Sequence, residues 1–244
     1  MQTLELDPAL LDALRRATRV AVLTGAGVSA ESGVPTFRDA LTGLWATFDP
    51  QRLATPEAFL RDPALVWRWY AERRARVAAV QPNAAHFALV AMATRYADFT
   101  LVTQNVDGLH LRAGSRDVVE LHGNLARVKC FDGCGVVDAW DERETPPRCR
   151  CGAPLRPDVV WFGEPLPAEA IARAQQAARR AEVFFSVGTS GEVFPAAELP
   201  RIARAAGALV VEVNPDATPL SPLARFALRG PAGVVLPRLL AALG

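Results

Sequence analysis

Short apolar runs, separated by stretches with helical spacing, restrict the fold of this chain more than any other feature. Arg19–Thr24 reads Arg-Val-Ala-Val-Leu-Thr and stops at Gly-Ala-Gly. A run without polar alternation is how a strand covered on both faces looks, the usual condition of a parallel sheet. Comparable runs occur at Phe99–Thr103, Val183–Val187, Ala208–Val213 and Gly233–Leu236. Ala84–Arg95, Ala168–Ala181 and Pro195–Ala206 carry helical patterns between several of them. Residues 8–17 add a short amphipathic helix with Leu10, Leu11 and Leu14 on one face. The expected fold is an α/β, doubly wound parallel sheet.

Two stretches interrupt this alternation. Residues 40–83 are helical in pattern and rich in Trp and Arg, including Trp45, Trp67, Trp69 and Arg68. Residues 125–157 hold all four Cys with several Pro and Gly. Together these insertions predict a second, smaller lobe, and the junction of such lobes favours ligand sites. With 244 residues, half of them hydrophobic, one large domain with insertions is expected and a disordered chain is excluded. A net charge of +1 argues against a nucleic-acid partner. The first residues lack a basic segment followed by an apolar one, and no apolar run reaches about 18 residues. The expectation is a cytoplasmic protein without a membrane partner, and a monomer by default.

Two polar motifs follow expected strands, and a third lies farther along the chain. Gly25-Ala26-Gly27-Val28-Ser29-Ala30 satisfies a loose Gly-x-Gly-x-x-Gly/Ala pattern, in which glycines let the backbone approach a pyrophosphate. The same residues also describe a tight turn. No acidic residue closes a second strand about 20 residues later, as a dinucleotide fingerprint would require. Thr103-Gln104-Asn105-Val106-Asp107-Gly108-Leu109-His110 places an amide and a carboxylate where ligands bind, or caps a helix. Glu120-Leu121-His122-Gly123-Asn124 offers an imidazole suited to proton transfer near neutral pH. His86, within a helical pattern, reads as structural.

Cys130, Cys134, Cys149 and Cys151 form two pairs separated by a loop, a set suited to a closed tetrahedral structural zinc. A redox-labile or metal-free lobe is the competing reading. Tyr70 and Arg73 lie three apart on an expected helix, Pro63–Ala79, and so share a face. A carboxylate-tipped group would suit them, as would plain solvation of an Arg-rich helix.

In this order and spacing the motifs resemble the sirtuin (Sir2) family of NAD-dependent protein deacylases. The matching segments are Gly25–Arg38, Thr103–His110, Leu121–Gly123, Pro157–Glu164, Gly188–Ser190 and Val213–Pro215. The resemblance implies a Rossmann-like lobe of residues 1–39, 84–124 and 158–244. The small lobe would combine a helical module (40–83) with a zinc ribbon (125–157). It implies NAD contacts at Gly25, Ala26, Gly27, Phe37, Arg38, Gln104, Asn105, Asp107, Gly188, Thr189, Ser190, Asn214 and Ala232. Val160, Trp161, Phe162 and Gly163 would pair with the substrate main chain as an added strand.

The implied chemistry begins with loss of nicotinamide, which makes a ribose carbon electrophilic enough for an amide oxygen to capture. His122 would be the general base, and the products lysine and O-acyl-ADP-ribose. The cysteine spacing departs from the family, which uses Cys-x-x-Cys in each pair; here the spacings are Cys-x3-Cys and Cys-x-Cys. Tyr-x-x-Arg ahead of Pro82-Asn83-Ala84-Ala85-His86 resembles the class that removes succinyl and malonyl as well as acetyl groups, and Ala40 the small residue that widens its pocket. An ADP-ribosyltransferase or NAD glycohydrolase is the alternative activity. An NAD-sensing module lacks a use for the base, and a dehydrogenase lacks its ribose carboxylate.

Overall fold

The computed structural model describes residues 6–35, 53–141 and 143–244. Phe37, Arg38, Ala40 and Trp45 therefore lie outside the described residues.

Helix α1 (Pro8–Arg16) leads into β1 (Arg19–Thr24), with Leu10 and Leu14 buried and Leu11 partly so. Two 3₁₀ turns, Ala26–Val28 and Ala30–Ser32, follow β1. Helices α2 (Pro56–Arg61), α3 (Pro63–Ala79) and α4 (Ala84–Ala93) precede β2 (Asp98–Thr103). A short α5 (Leu109–Arg112) and β3 (Val119–Glu120) come next. Strands β4 (Gly123–Cys130), β5 (Val136–Val137) and β6 (Leu155–Val159) form the cysteine-bearing part. The chain ends with α6 (Ala168–Arg180), β7 (Val183–Val187), α7 (Leu199–Ala205), β8 (Leu209–Val213), β9 (Phe226–Leu228) and α8 (Ala232–Leu243).

Six strands make one parallel sheet in the order β3-β2-β1-β7-β8-β9. Alternate residues of β1 supply its two faces. Val20 and Val22 pack with α1, α4 and α8; Ala21 and Leu23 pack with α6 and α7. That double coverage explains why β1 shows no polar alternation. A second, antiparallel sheet has the order β5-β4-β6. Phe59, Val66, Trp69 and Tyr70 of α2 and α3 pack with Leu125, Val159 and Trp161 in a separate core beside it.

One expected strand is wrong. Gly233–Leu236 lies inside helix α8. Four apolar residues do not distinguish helix from strand, and the deciding signal is the continuation. Val235, Leu236, Leu239 and Leu243 are all buried at helical spacing, and Pro231 supplies the N-cap. The sixth strand is instead Phe226–Leu228, too short to stand out as a run. Pro195–Ala206 also divides, into a 3₁₀ turn at Ala196–Glu198 and α7.

Candidate active site

In a parallel sheet all carboxyl ends share one edge, and ligands bind there where neighbouring strands send their connections to opposite sides. Strand β1 has β2 on one side and β7 on the other, so the crevice opens beside Gly25. The described residues expected to contact NAD sit on loops or a helix start just after strands. Gly25–Gly27 follow β1, Gln104–Asp107 follow β2, Gly188–Ser190 follow β7, Asn214 follows β8, and Ala232 opens α8 after β9.

The glycines let two loops touch. The Gly27 N–H donates to the Gly188 carbonyl at 2.8 Å. A Cβ on Gly25 or Gly27 would lie 2.8 Å from the Gly188–Thr189 backbone, and one on Gly188 only 2.5 Å from the Val28 nitrogen. Gly188 also has φ +60°, in the left-handed region. Among the described residues the amide N–H groups of Ala26, Thr189 and Ser190 have no protein acceptor. Unpaired backbone donors at a strand-to-turn junction suit phosphate oxygens, so the residues present fit a dinucleotide. Gln104 Nε2 donates to Thr189 Oγ1 at 2.9 Å, and Asn214 Nδ2 to the Thr189 carbonyl at 3.0 Å.

Beneath these loops lies a buried polar network. Ser29 donates to Asp107 Oδ2 at 2.7 Å and accepts from Asn105 Nδ2 at 3.2 Å. Asn105 Nδ2 also reaches the Gly25 carbonyl at 3.1 Å, and Asp107 Oδ1 accepts from the Leu109 N–H. Asp107 thus takes the first amide of α5, whose N-cap is Gly108, as well as the Ser29 hydroxyl. Burial raises its pKa above the ordinary 3.8, against the pull of those two hydrogen bonds. His86 Nδ1 accepts from the Asn83 N–H, leaving its proton on Nε2, which faces Ser29 Oγ at 3.5 Å. Ser29 went unremarked in the sequence beyond its place in the glycine motif. Its signal was a hydroxyl directly after the turn that ends a buried strand. Glu31 was missed as well; its carboxylate takes the Gly233 N–H at the start of α8, next to the buried Ala232.

His122 stands between β3 and β4, at the join of the two sheets. Its Nδ1 lies 2.8 Å from the Gln104 carbonyl, which can only accept; the proton sits on Nδ1 and Nε2 keeps a lone pair. Burial holds its pKa below the ordinary 6.5, partly offset by that bond. Its own carbonyl accepts from the Val160 N–H at 2.9 Å.

Along Val160–Gly163 several main-chain donors are committed internally. Phe162 donates to the Ala54 carbonyl and Trp161 to Glu164 Oε2. Among the described residues the Gly163 N–H and the carbonyls of Val160 and Gly163 remain without partners. Trp161 is buried, whereas Phe162 and Gly163 are exposed. Tyr70 is buried and accepts from Trp161 Nε1 at 3.0 Å. Arg73, half-buried, stacks its guanidinium 4.8 Å from the centre of the Trp69 ring.

The sulfur atoms of Cys130, Cys134, Cys149 and Cys151 lie within 4.8 Å of one another. Tetrahedral zinc with Zn–S bonds of about 2.3 Å needs sulfurs ~3.8 Å apart, so the set fits with small adjustment. Gly133, at φ +87°, turns the chain within the first pair, and Gly135 and Gly152, each at +91°, directly follow the second cysteine of each pair. A shallow depression lined by Arg19, Asp98, Arg173 and Arg180 lies at the opposite, amino-terminal edge of the sheet. Arg19, Arg173 and Arg180 are ion-paired with Glu182, Asp117 and Asp98, and the depression reads as ordinary surface. No helix among the described residues is long and apolar enough to cross a membrane.

Comparison with known proteins agrees with this geometry. The sequence model of the Sir2 family matches residues 25–195. A Ralstonia nicotianae protein described as an NAD-dependent protein deacylase is 60% identical over 230 residues, 93% of either chain. A Methylococcus capsulatus protein with the same description is 52% identical over 251 residues, 98% of either chain. A crystal structure of a Sir2 homologue–NAD complex superposes with a TM-score of 0.91 at 46% identity, over 98% of this chain and 94% of that one. A structure of Sir2 bound to acetylated peptide gives 0.85 at 31% identity, over 96% and 97%. With a family match over more than half its length and relatives this similar along nearly all of it, the chain belongs to the Sir2 family.

Proposed function

We propose that this chain is an NAD-dependent protein-lysine deacylase that removes acetyl, succinyl and malonyl groups, with zinc as a structural metal. The observation that carries the reading is His122. Its Nδ1–H is spent on a backbone carbonyl, its Nε2 is basic, and it sits where the NAD-facing edge meets the segment read as binding substrate. The relatives described as NAD-dependent protein deacylases, and the neighbours bound to NAD and to acetylated peptide, support it.

The division into a large lobe (1–39, 84–124, 158–244) and a small one (40–83, 125–157) goes with this reading. So do the NAD contacts at Gly25, Ala26, Gly27, Phe37, Arg38, Gln104, Asn105, Asp107, Gly188, Thr189, Ser190, Asn214 and Ala232. Cys130, Cys134, Cys149 and Cys151 would hold the zinc in a closed set of thiolates, leaving it no part in bond-breaking. Unbridged thiols in this grouping suit a reducing, cytoplasmic setting.

NAD, when bound, supplies a ribose carbon made electrophilic by departure of nicotinamide. The unpaired N–H groups of Ala26, Thr189 and Ser190 hold its phosphates, while Asn105 and Asp107 offer an amide and a carboxylate to the nicotinamide and ribose side. Val160–Gly163 orients the peptide through the Gly163 N–H and the open carbonyls of Val160 and Gly163. His122 Nε2 then accepts the ribose hydroxyl proton.

Acetyl-, succinyl- and malonyl-lysine peptides, incubated with and without NAD and read by mass spectrometry, test the activity. All three should lose their acyl group only with NAD, and His122→Ala should abolish the loss. Nicotinamide release with unchanged peptide would favour a glycohydrolase instead. For the acyl pocket, Arg73→Met should lower the ratio of desuccinylation to deacetylation by a factor of ~30 or more, the scale of losing a charge-assisted pair. Equal losses would remove Tyr70 and Arg73 from substrate selection.

A further inference from the structure

We propose that Trp161 is a positioning residue for acyl selection, its indole N–H turning the Tyr70 hydroxyl so that the phenolic proton is left for a carboxylate-tipped acyl group. The inference rests on the pocket reading of Tyr70 and Arg73 given above.

A phenol carries one proton and accepts through its oxygen, whereas an indole nitrogen can only donate. The 3.0 Å contact between Trp161 Nε1 and Tyr70 Oη therefore has one polarity. Tyr70 accepts, and its own O–H must be directed elsewhere. Among the described residues the hydroxyl has no second partner, so that proton is uncommitted. Burial pushes the Tyr70 pKa up to about 12, so the hydroxyl stays a donor through the physiological range. Succinyl and malonyl groups end in a carboxylate that accepts from such a donor; an acetyl methyl cannot.

The donor is itself held firmly. The Arg156 guanidinium lies 3.3 Å from the centre of the Trp161 ring. Glu164 takes the Trp161 backbone N–H at 2.8 Å and a guanidinium N–H of Arg156 at 2.9 Å. Phe59 packs against the indole with ring centres 5.3 Å apart. The indole is thus fixed by the same turn that carries the segment read as binding substrate. This ties acyl choice to peptide placement.

The test compares kcat/KM for succinyl- and acetyl-lysine forms of one peptide, in single and double variants. Trp161→Phe should lower the succinyl-to-acetyl ratio by roughly two- to tenfold, the worth of one oriented hydrogen bond, mainly through a higher KM for the succinyl peptide. In a Tyr70→Phe background the same change should leave the ratio where Tyr70→Phe alone put it. Circular dichroism checks folding. If Trp161→Phe does not fold, benzothienylalanine at position 161 keeps the ring shape and removes only the N–H. An unchanged ratio, or an equal fall with and without the Tyr70 hydroxyl, overturns the inference while a lowered ratio in Arg73→Met preserves the pocket. Arg73→Met without effect on the ratio removes the pocket, and this inference with it.

Discussion

His122 takes its proton assignment from a backbone carbonyl rather than from a carboxylate. The Gln104 carbonyl favours Nδ1–H, and burial disfavours the imidazolium more strongly than that single bond supports it. The sign for catalysis follows. The general base proposed for His122 acts when neutral, so lowering its pKa below 6.5 widens the active range toward acid. With saturating NAD, kcat/KM for deacylation should be flat through neutral pH and fall only below 6.5, with a slope of one proton. An acid limb centred above 6.5 would show a charged imidazole favoured by the site, contrary to this geometry. Trp161 was named at the sequence level for its main chain, yet it is the buried side chain that carries its hydrogen bond to Tyr70. Partners distant in sequence such as this one are invisible to spacing, because nothing local encodes the approach of residues 70 and 161.

Helix α4 shows how an element can serve a neighbouring site. Asn83 caps it, with Oδ1 accepting from the Ala85 N–H and His86 Nδ1 accepting in turn from the Asn83 N–H. The other end of the amide, Nδ2, donates to the Val28 carbonyl and to Ser32 Oγ, both on the loop after β1. Asn83→Ala therefore removes a cap and two ties to the glycine-rich loop. Denaturant unfolding should show a loss of about 1–2 kcal/mol for the cap, and NAD affinity should fall as the loop loosens. Lost stability with unchanged NAD affinity would confine Asn83 to the helix. Elements whose signal is local were legible beforehand: β1, β7 and α3 have the bounds their residues imply. The final apolar stretch was not, since Gly233–Leu236 becomes helical only when read with Leu239 and Leu243 beyond it. Strand β9 is defined by pairing with β8, a tertiary property that three residues cannot announce.

At the scale of the whole molecule, the two sheets meet at residues 121–124. Gly123 begins β4 with φ +80° and pairs with Val159 of β6, and a Cβ there would lie 2.1 Å from the Asp158 carbonyl oxygen. Arg127 bridges Glu120 of β3 and Asp158 of β6 across the same join. His122 is thus held by both sheets, through Gln104 on one side and Val160 on the other. The described loops proposed to bind NAD, by contrast, issue from the six-stranded sheet alone. Cys130 ends β4, and Cys149 and Cys151 precede β6, so metal binding and the pairing of those strands support each other. Stripping the zinc with a strong chelator should therefore separate two functions. Metal analysis should fall from about one equivalent toward none, and NAD-dependent deacylation should drop by at least roughly tenfold as His122 loses its small-sheet support. NAD affinity by calorimetry should stay within about threefold, because the backbone donors proposed to hold it belong to the large sheet. Restoring zinc should restore the rate. If affinity instead falls as steeply as the rate, the sheets unfold as one cooperative body and the join is not where the two functions part.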